Sequence, residues 1–187
     1  MKKIFACIAL TLFLATRYIN AQPAANYKCN DGEIVFVSDA PMELITAQSN
    51  KLQAVINPAQ HTFAFVVSIR AFEGFNAALQ RDHFNENYME SSRYPTATFT
   101  GKISEKIDLT VPGIYSVMTQ GTLTIHGVEQ PRTIKAVIKV TPQGMEVYSK
   151  FTVLLKDHNI RIPKVVYEKI SSEVNVTVSG KLRQGEK

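Results

Sequence analysis

The stretch Gly121–Pro131, G-T-L-T-I-H-G-V-E-Q-P, constrains this chain more than any other. Leu123 and Ile125 point one way, and Thr122, Thr124 and His126 the other. That period of two belongs to a strand with one face in an apolar interior and the other toward water. His126-Gly127 interrupts the pattern, and Pro131 precedes a second alternating run. Glycine supplies the positive φ of a tight reversal, while proline cannot donate to a ladder and is expected at a strand's first residue. The stretch reads as a β-hairpin between the longest strands of the chain.

The same alternation recurs along most of the sequence. Asp31-Gly32 reads as a hairpin turn into a short strand, Ile34–Val37, which Ala40-Pro41 ends. Met42–Ala47 fits either a helical turn or a brief strand, and residues 51–57 alternate through Leu52, Ala54 and Ile56. In residues 61–70, Phe63, Phe65, Val67 and Ile69 share one face. The opposite face is also partly apolar, as expected of a strand lying between a core and a covering helix. Further strands are expected over 96–104, 114–126, 132–140, 145–155 and 173–182, with an irregular loop over 156–169 and a frayed tail over 183–187.

Residues 71–95 are the helical interruption. Phe75, Leu79, His83, Phe84 and Tyr88 fall near one helical stripe, and the asparagines around Phe84–Glu86 suggest two short helices or one bent one. Tyr94-Pro95 then forces extended backbone. About eight strands, short turns and no βαβ spacing predict an all-β fold, an eight-stranded antiparallel barrel with a short helical insert. Closing the sheet removes its edges, and eight strands leave just enough room for one elongated ligand. A two-sheet sandwich is the competing architecture.

Residues 1–21 read as a secretory signal peptide: Lys2-Lys3 form a basic start, Ile4–Ala15 an apolar run too short to span a membrane, and Ala21 a small residue before the cut. The domain is then 22–187, exported to the periplasm or secreted, with no stable membrane span after cleavage. Losing Lys2, Lys3 and Arg17 lowers the formal charge from +5 to about +2, so no basic cluster argues for nucleic acid. Cys29 is then the single cysteine, and a packed core rather than a disulfide must hold the fold.

Gln80-Arg81-Asp82-His83, Tyr88, Tyr94-Pro95-Thr96-Ala97-Thr98-Phe99 and the Gly121–Gly127 segment together resemble the bacterial YceI-like family. The resemblance runs from about Tyr27 to Gly180 and departs at the front, where many members carry an Asp…His-Ser strand and this chain has Asn30–Ile34 and Val37-Ser38. It implies an exported lipocalin-like barrel, and for some members a polyisoprenoid or other long amphiphilic lipid held inside.

No reaction suggests itself. Asp82-His83 and Asp157-His158 are adjacent pairs that do not face each other, and no serine or cysteine sits in a nucleophile elbow. His83, Glu86 and Glu90 have helical spacing, but two solvated acids beside a lid histidine explain them equally well, and no metal or cofactor is expected. The expected partner is a long-chain isoprenoid or fatty-acyl lipid, with a homodimer left open. Arg81 and His83 would meet its head group at the barrel mouth, unless Arg81 merely pairs with Asp82 to fix the insert. Phe63, Phe65, Phe84, Tyr88, Phe99, Tyr115 and Phe151 would line its tail or serve as plain core. His126 reads as a turn residue bonded to backbone.

Overall fold

A computed structural model describes residues 26–185, so the expected signal peptide lies outside the described residues. Eight antiparallel strands pair in sequence order: β1 Tyr27–Asp39, β2 Leu44–Asn57, β3 Thr62–Ser68, β4 Thr96–Ile103, β5 Gly113–Ile125, β6 Val128–Thr141, β7 Gly144–Leu154 and β8 Glu173–Gln184. β8 pairs back onto β1, which closes the barrel and excludes the sandwich. Arg183 and Gln184 belong to that seam, opposite Lys28 and Tyr27, rather than to a frayed tail.

The Gly121–Pro131 hairpin forms as read. Ile125 faces Val128, and His126 and Gly127 take φ of 52° and 70°, the left-handed pair of a tight two-residue turn. Pro131 sits inside β6 rather than at its start, opposite Thr122. It is tolerated because β6 meets β7 only from Ala136 onward, so the first part of β6 has a single neighbour. Side chains bridge the gap: Gln130 Nε2 donates to Asp157 O at 2.7 Å, and the Arg132 guanidinium to Thr152 O.

Asp31-Gly32 does not reverse the chain. β1 runs straight through it as a bulge, flanked by β2 and β8 on both sides of the irregularity. Gly32 is buried, and a Cβ there would lie 3.1 Å from Leu52 O and 3.2 Å from Ser179 O, so close strand approach explains the glycine. Met42–Ala47 resolves as strand from Leu44 onward.

One end of the barrel is filled. Phe63, Ile103, Val117, Ile138, Met145 and Leu182 pack there with Leu109, which is fully buried in the 104–112 crossing segment. His61 Nε2 lies 2.6 Å from Ile107 O and ties that segment down.

At the other end the strands splay. β2 pairs with β3 only over Gln53–Asn57, so its first half leaves β3, and Gln48 and Glu73 exchange backbone hydrogen bonds of 2.8 Å instead. The insert therefore lies across this open end and not over the outer face of β3, whose Ala64 is exposed. It consists of helix α1, Ala78–His83, continued by a π turn, Phe84–Tyr88, with Met89 N donating to Phe84 O at 2.9 Å. This is the expected bent helix.

Candidate ligand-binding cavity

Alternation sends every second side chain of each strand into the barrel, but these side chains do not all meet. A cavity of about 480 Å³ opens between the insert, the β1–β2 turn and the 155–170 loop, within the range of small-ligand sites. A deeper one of about 90 Å³ lies further in, and Ile34, Val67, Ala97, Leu123 and Phe151 line both. Inward-facing Phe65, Phe99, Phe151, Ile34 and Phe36 are consequently only half-buried. In a barrel packed solid such positions would be close-packed at crystal-like density.

Phe63, Phe65 and Phe99 line the deep cavity, with the Phe63 and Phe99 rings 4.9 Å apart. Phe151 borders both cavities, and His83, Phe84 and Tyr88 line the outer one. Gln80, His83 and Phe84 reach it from one side of the insert because residues three and four apart share a helix face. Arg81 is one position out of step and exposed. It lines neither cavity, and among the described residues its guanidinium forms no ion pair, with Asp82 or any other acid. Tyr115 also lines neither. Its hydroxyl donates to Val111 O at 2.9 Å, and its ring folds over Gly113 at the filled end.

The roof adds two residues that sequence reasoning missed, Phe36 and Phe72. With Phe75 and Phe84 they make an aromatic cluster with centroid separations of 5.0 to 5.9 Å, joining β1 to the insert. Phe36 was legible as the partner of Ile34 two residues earlier, had β1 been read as one continuous strand.

Polar groups gather at the rim. Gln80 Nε2 donates to Glu43 Oε1 at 2.8 Å and Asn76 Nδ2 to Leu44 O at 3.0 Å, tying insert to turn. Ser38, His83, Tyr88 and Lys169 add further polar side chains to the lining. Burial pushes the Tyr88 phenol above its usual range, so the hydroxyl stays protonated and offers a neutral donor. Among the described residues no three His, Cys, Asp or Glu side chains are grouped to hold a metal. Glu90 turns away from His83 and Glu86 to His126, which bonds the His158 carbonyl as well as that carboxylate.

The barrel has counterparts among solved structures. A polyisoprenoid binding domain from Saccharophagus degradans, implicated in plant cell wall breakdown, is similar with a TM-score of 0.72 at 16% identity, over 88% of this chain and 100% of that one. BcnA of Burkholderia cenocepacia is similar with a TM-score of 0.66 at 16% identity, over 80% of this chain and 94% of that one. The Campylobacter jejuni YceI protein gives 0.58 at 19% identity, over 75% and 85%. At these identities the likeness is one of fold. No curated protein matches the chain. The model of the YceI-like domain matches residues 32–182, which is most of the sequence, and the chain therefore belongs to the YceI-like family.

Proposed function

We propose that the protein is an exported periplasmic barrel that binds a polyisoprenoid or another long-chain amphiphile in its interior, for carriage or sequestration. The apolar cavity of about 480 Å³ carries this reading, because it runs on toward a deeper apolar pocket and is entered past polar groups. An elongated tail with a polar head has that distribution of surfaces. Desolvating the tail contributes about 0.8 kcal/mol per buried CH₂, so affinity scales with chain length and needs few polar contacts. Association itself costs on the order of 4–15 kcal/mol, which sets the need for a long tail. The polyisoprenoid binding domain of similar fold supports the choice of cargo. Export rests on the basic and apolar pattern of residues 1–21.

A solid barrel acting as an envelope interaction module is disfavoured, since it has no use for a cavity beneath the insert. Binding without turnover is the role that the lining supports. Purifying residues 22–187 from a bacterial envelope, weighing the protein intact and analysing a solvent extract should reveal a discrete prenyl or acyl lipid. Phe65→Asp or Phe99→Asp should abolish its uptake. A bare protein that refuses long-chain probes, or full uptake by a folded Asp variant, refutes the proposal.

A further inference from the structure

The rim of the large cavity is more apolar than a surface in water requires. Five of the nine large hydrophobic side chains most exposed among the described residues lie on the three segments that frame it. Met42 and Leu44 flank Glu43 on the β1–β2 turn, Leu79 stands on α1, and Val165 and Tyr167 on the 163–170 loop. Their exposures run from 57% to 89%, with Val165 the highest. These segments are fastened to one another: Met42 N donates to Glu168 O at 2.8 Å, and Asn76 Nδ2 to Leu44 O at 3.0 Å. The five side chains thus stand on one framed opening.

We propose that this rim docks on an anionic phospholipid bilayer and places the cavity mouth against the lipid surface. The inference rests on the cargo reading above. A long apolar tail leaves a bilayer for the cavity without crossing water only if the mouth lies at the bilayer itself. The rim also carries the side chains such a surface favours. Tyr167 has an apolar body and a polar tip, and Lys164 and Lys169 can bury their stems while keeping the ammonium in water. Residues 156–169 hold Lys156, Arg161, Lys164 and Lys169 against Asp157 and Glu168, a local excess of two positive charges. On the insert Arg81 offsets one of Asp82 and Glu86, and Glu43 stands on the β1–β2 turn. The positive excess at the mouth is therefore confined to residues 156–169, and the 163–170 loop is the leading edge.

The chain contains no tryptophan, so an introduced one reports its own surroundings. Val165→Trp and, as a control, Ile114→Trp are both at exposed positions, 89% and 74%, and Ile114 lies on β5 toward the filled end. On phosphatidylcholine vesicles containing phosphatidylglycerol, Trp emission from Val165→Trp should shift to shorter wavelength and that from Ile114→Trp should not. A Val165→Asp/Leu79→Asp double variant should lose about tenfold or more in vesicle affinity, equivalent to 1.4 kcal/mol or more. No shift from Val165→Trp, or an equal shift from Ile114→Trp, overturns the proposal. Uptake of cis-parinaric acid delivered without vesicles is scored separately. Its failure alone would remove the cargo reading while leaving the emission shift to decide docking.

Discussion

His126 Nε2 lies 3.1 Å from Glu90 Oε1, a contact that joins the β5–β6 hairpin tip to the segment leaving the insert. The same ring presents Nδ1 to His158 O at 3.1 Å and stands edge-on to Tyr94, centroids 4.7 Å apart. Both polar partners are acceptors, so the ring donates to each only in its doubly protonated form. Gly127 beside it has no alternative, because a Cβ there would fall 2.4 Å from Tyr94 Cε1 at a φ of 70°. Three segments of the cavity roof and rim are therefore pinned at one histidine.

His126→Ala should cost about 1 kcal/mol, since it removes the His158 carbonyl's side-chain partner and the aromatic contact with Tyr94, whereas the half-exposed Glu90 carboxylate keeps water and Arg93. The loss should concentrate at the rim. Amide hydrogen exchange should accelerate over residues 84–95 and 155–160 and stay unchanged in β5–β7 near the filled end. Uniform acceleration along the barrel would contradict this placement.

Ala97 borders both the outer and the deep cavity. Ala97→Phe should put a ring where the two adjoin and shorten the tail that can be held. Excluding two or three methylenes would weaken a long-chain ligand by roughly 2 kcal/mol, about thirtyfold, at about 0.8 kcal/mol each. A chain-length series measured by calorimetry tests this: affinity should stop rising at a shorter tail in the variant. Identical length dependence in both proteins would mean that the deep cavity is not used.

His158 is fully buried, with Nδ1 3.1 Å from Val128 O and Nε2 without a partner. Burial pushes its pKa below the ordinary histidine value. The unfolded chain then binds more protons than the folded one between the two pKa values, so stability rises with pH there. The contribution is fully present above the unfolded pKa of about 6.5 and is lost as pH falls through the folded value. Urea unfolding from pH 7.5 to 5 should show this decline, and His158→Gln should flatten it. An equally steep decline in the variant would assign the effect to other groups.

Cys29 is buried on β1, its thiol 3.4 Å from Asp31 Oδ1. Burial is the main cause that raises its pKa, which keeps the sulfur protonated and unreactive. A thiol reagent such as Ellman's should leave it unlabelled at pH 8 until denaturant is added. Rapid labelling of the native protein would show that the β1 bulge opens to solvent.

The strands, the 126–127 turn and the bent insert were readable because period-two and helical spacing are local properties of a chain. The YceI-like motifs were likewise local runs, Tyr94–Phe99 and Gly121–Gly127. Asp31-Gly32 was misread because one dipeptide serves a turn or a bulge, and only flanking strands on both sides select the bulge. Pro131 followed the same logic: its tolerance inside β6 depends on where β7 departs, information absent from its neighbours in sequence.

For the site, sequence alone determined that aromatic side chains such as Phe63, Phe65, Phe99 and Phe151 point inward. Tertiary structure alone decided which of them face a cavity, that Tyr115 folds over the filled end, and that Arg81 turns outward while Gln80 and His83 line the mouth. The physical reason is that alternation fixes a side chain's direction, whereas the space in front of it depends on strand register and on walls distant in sequence.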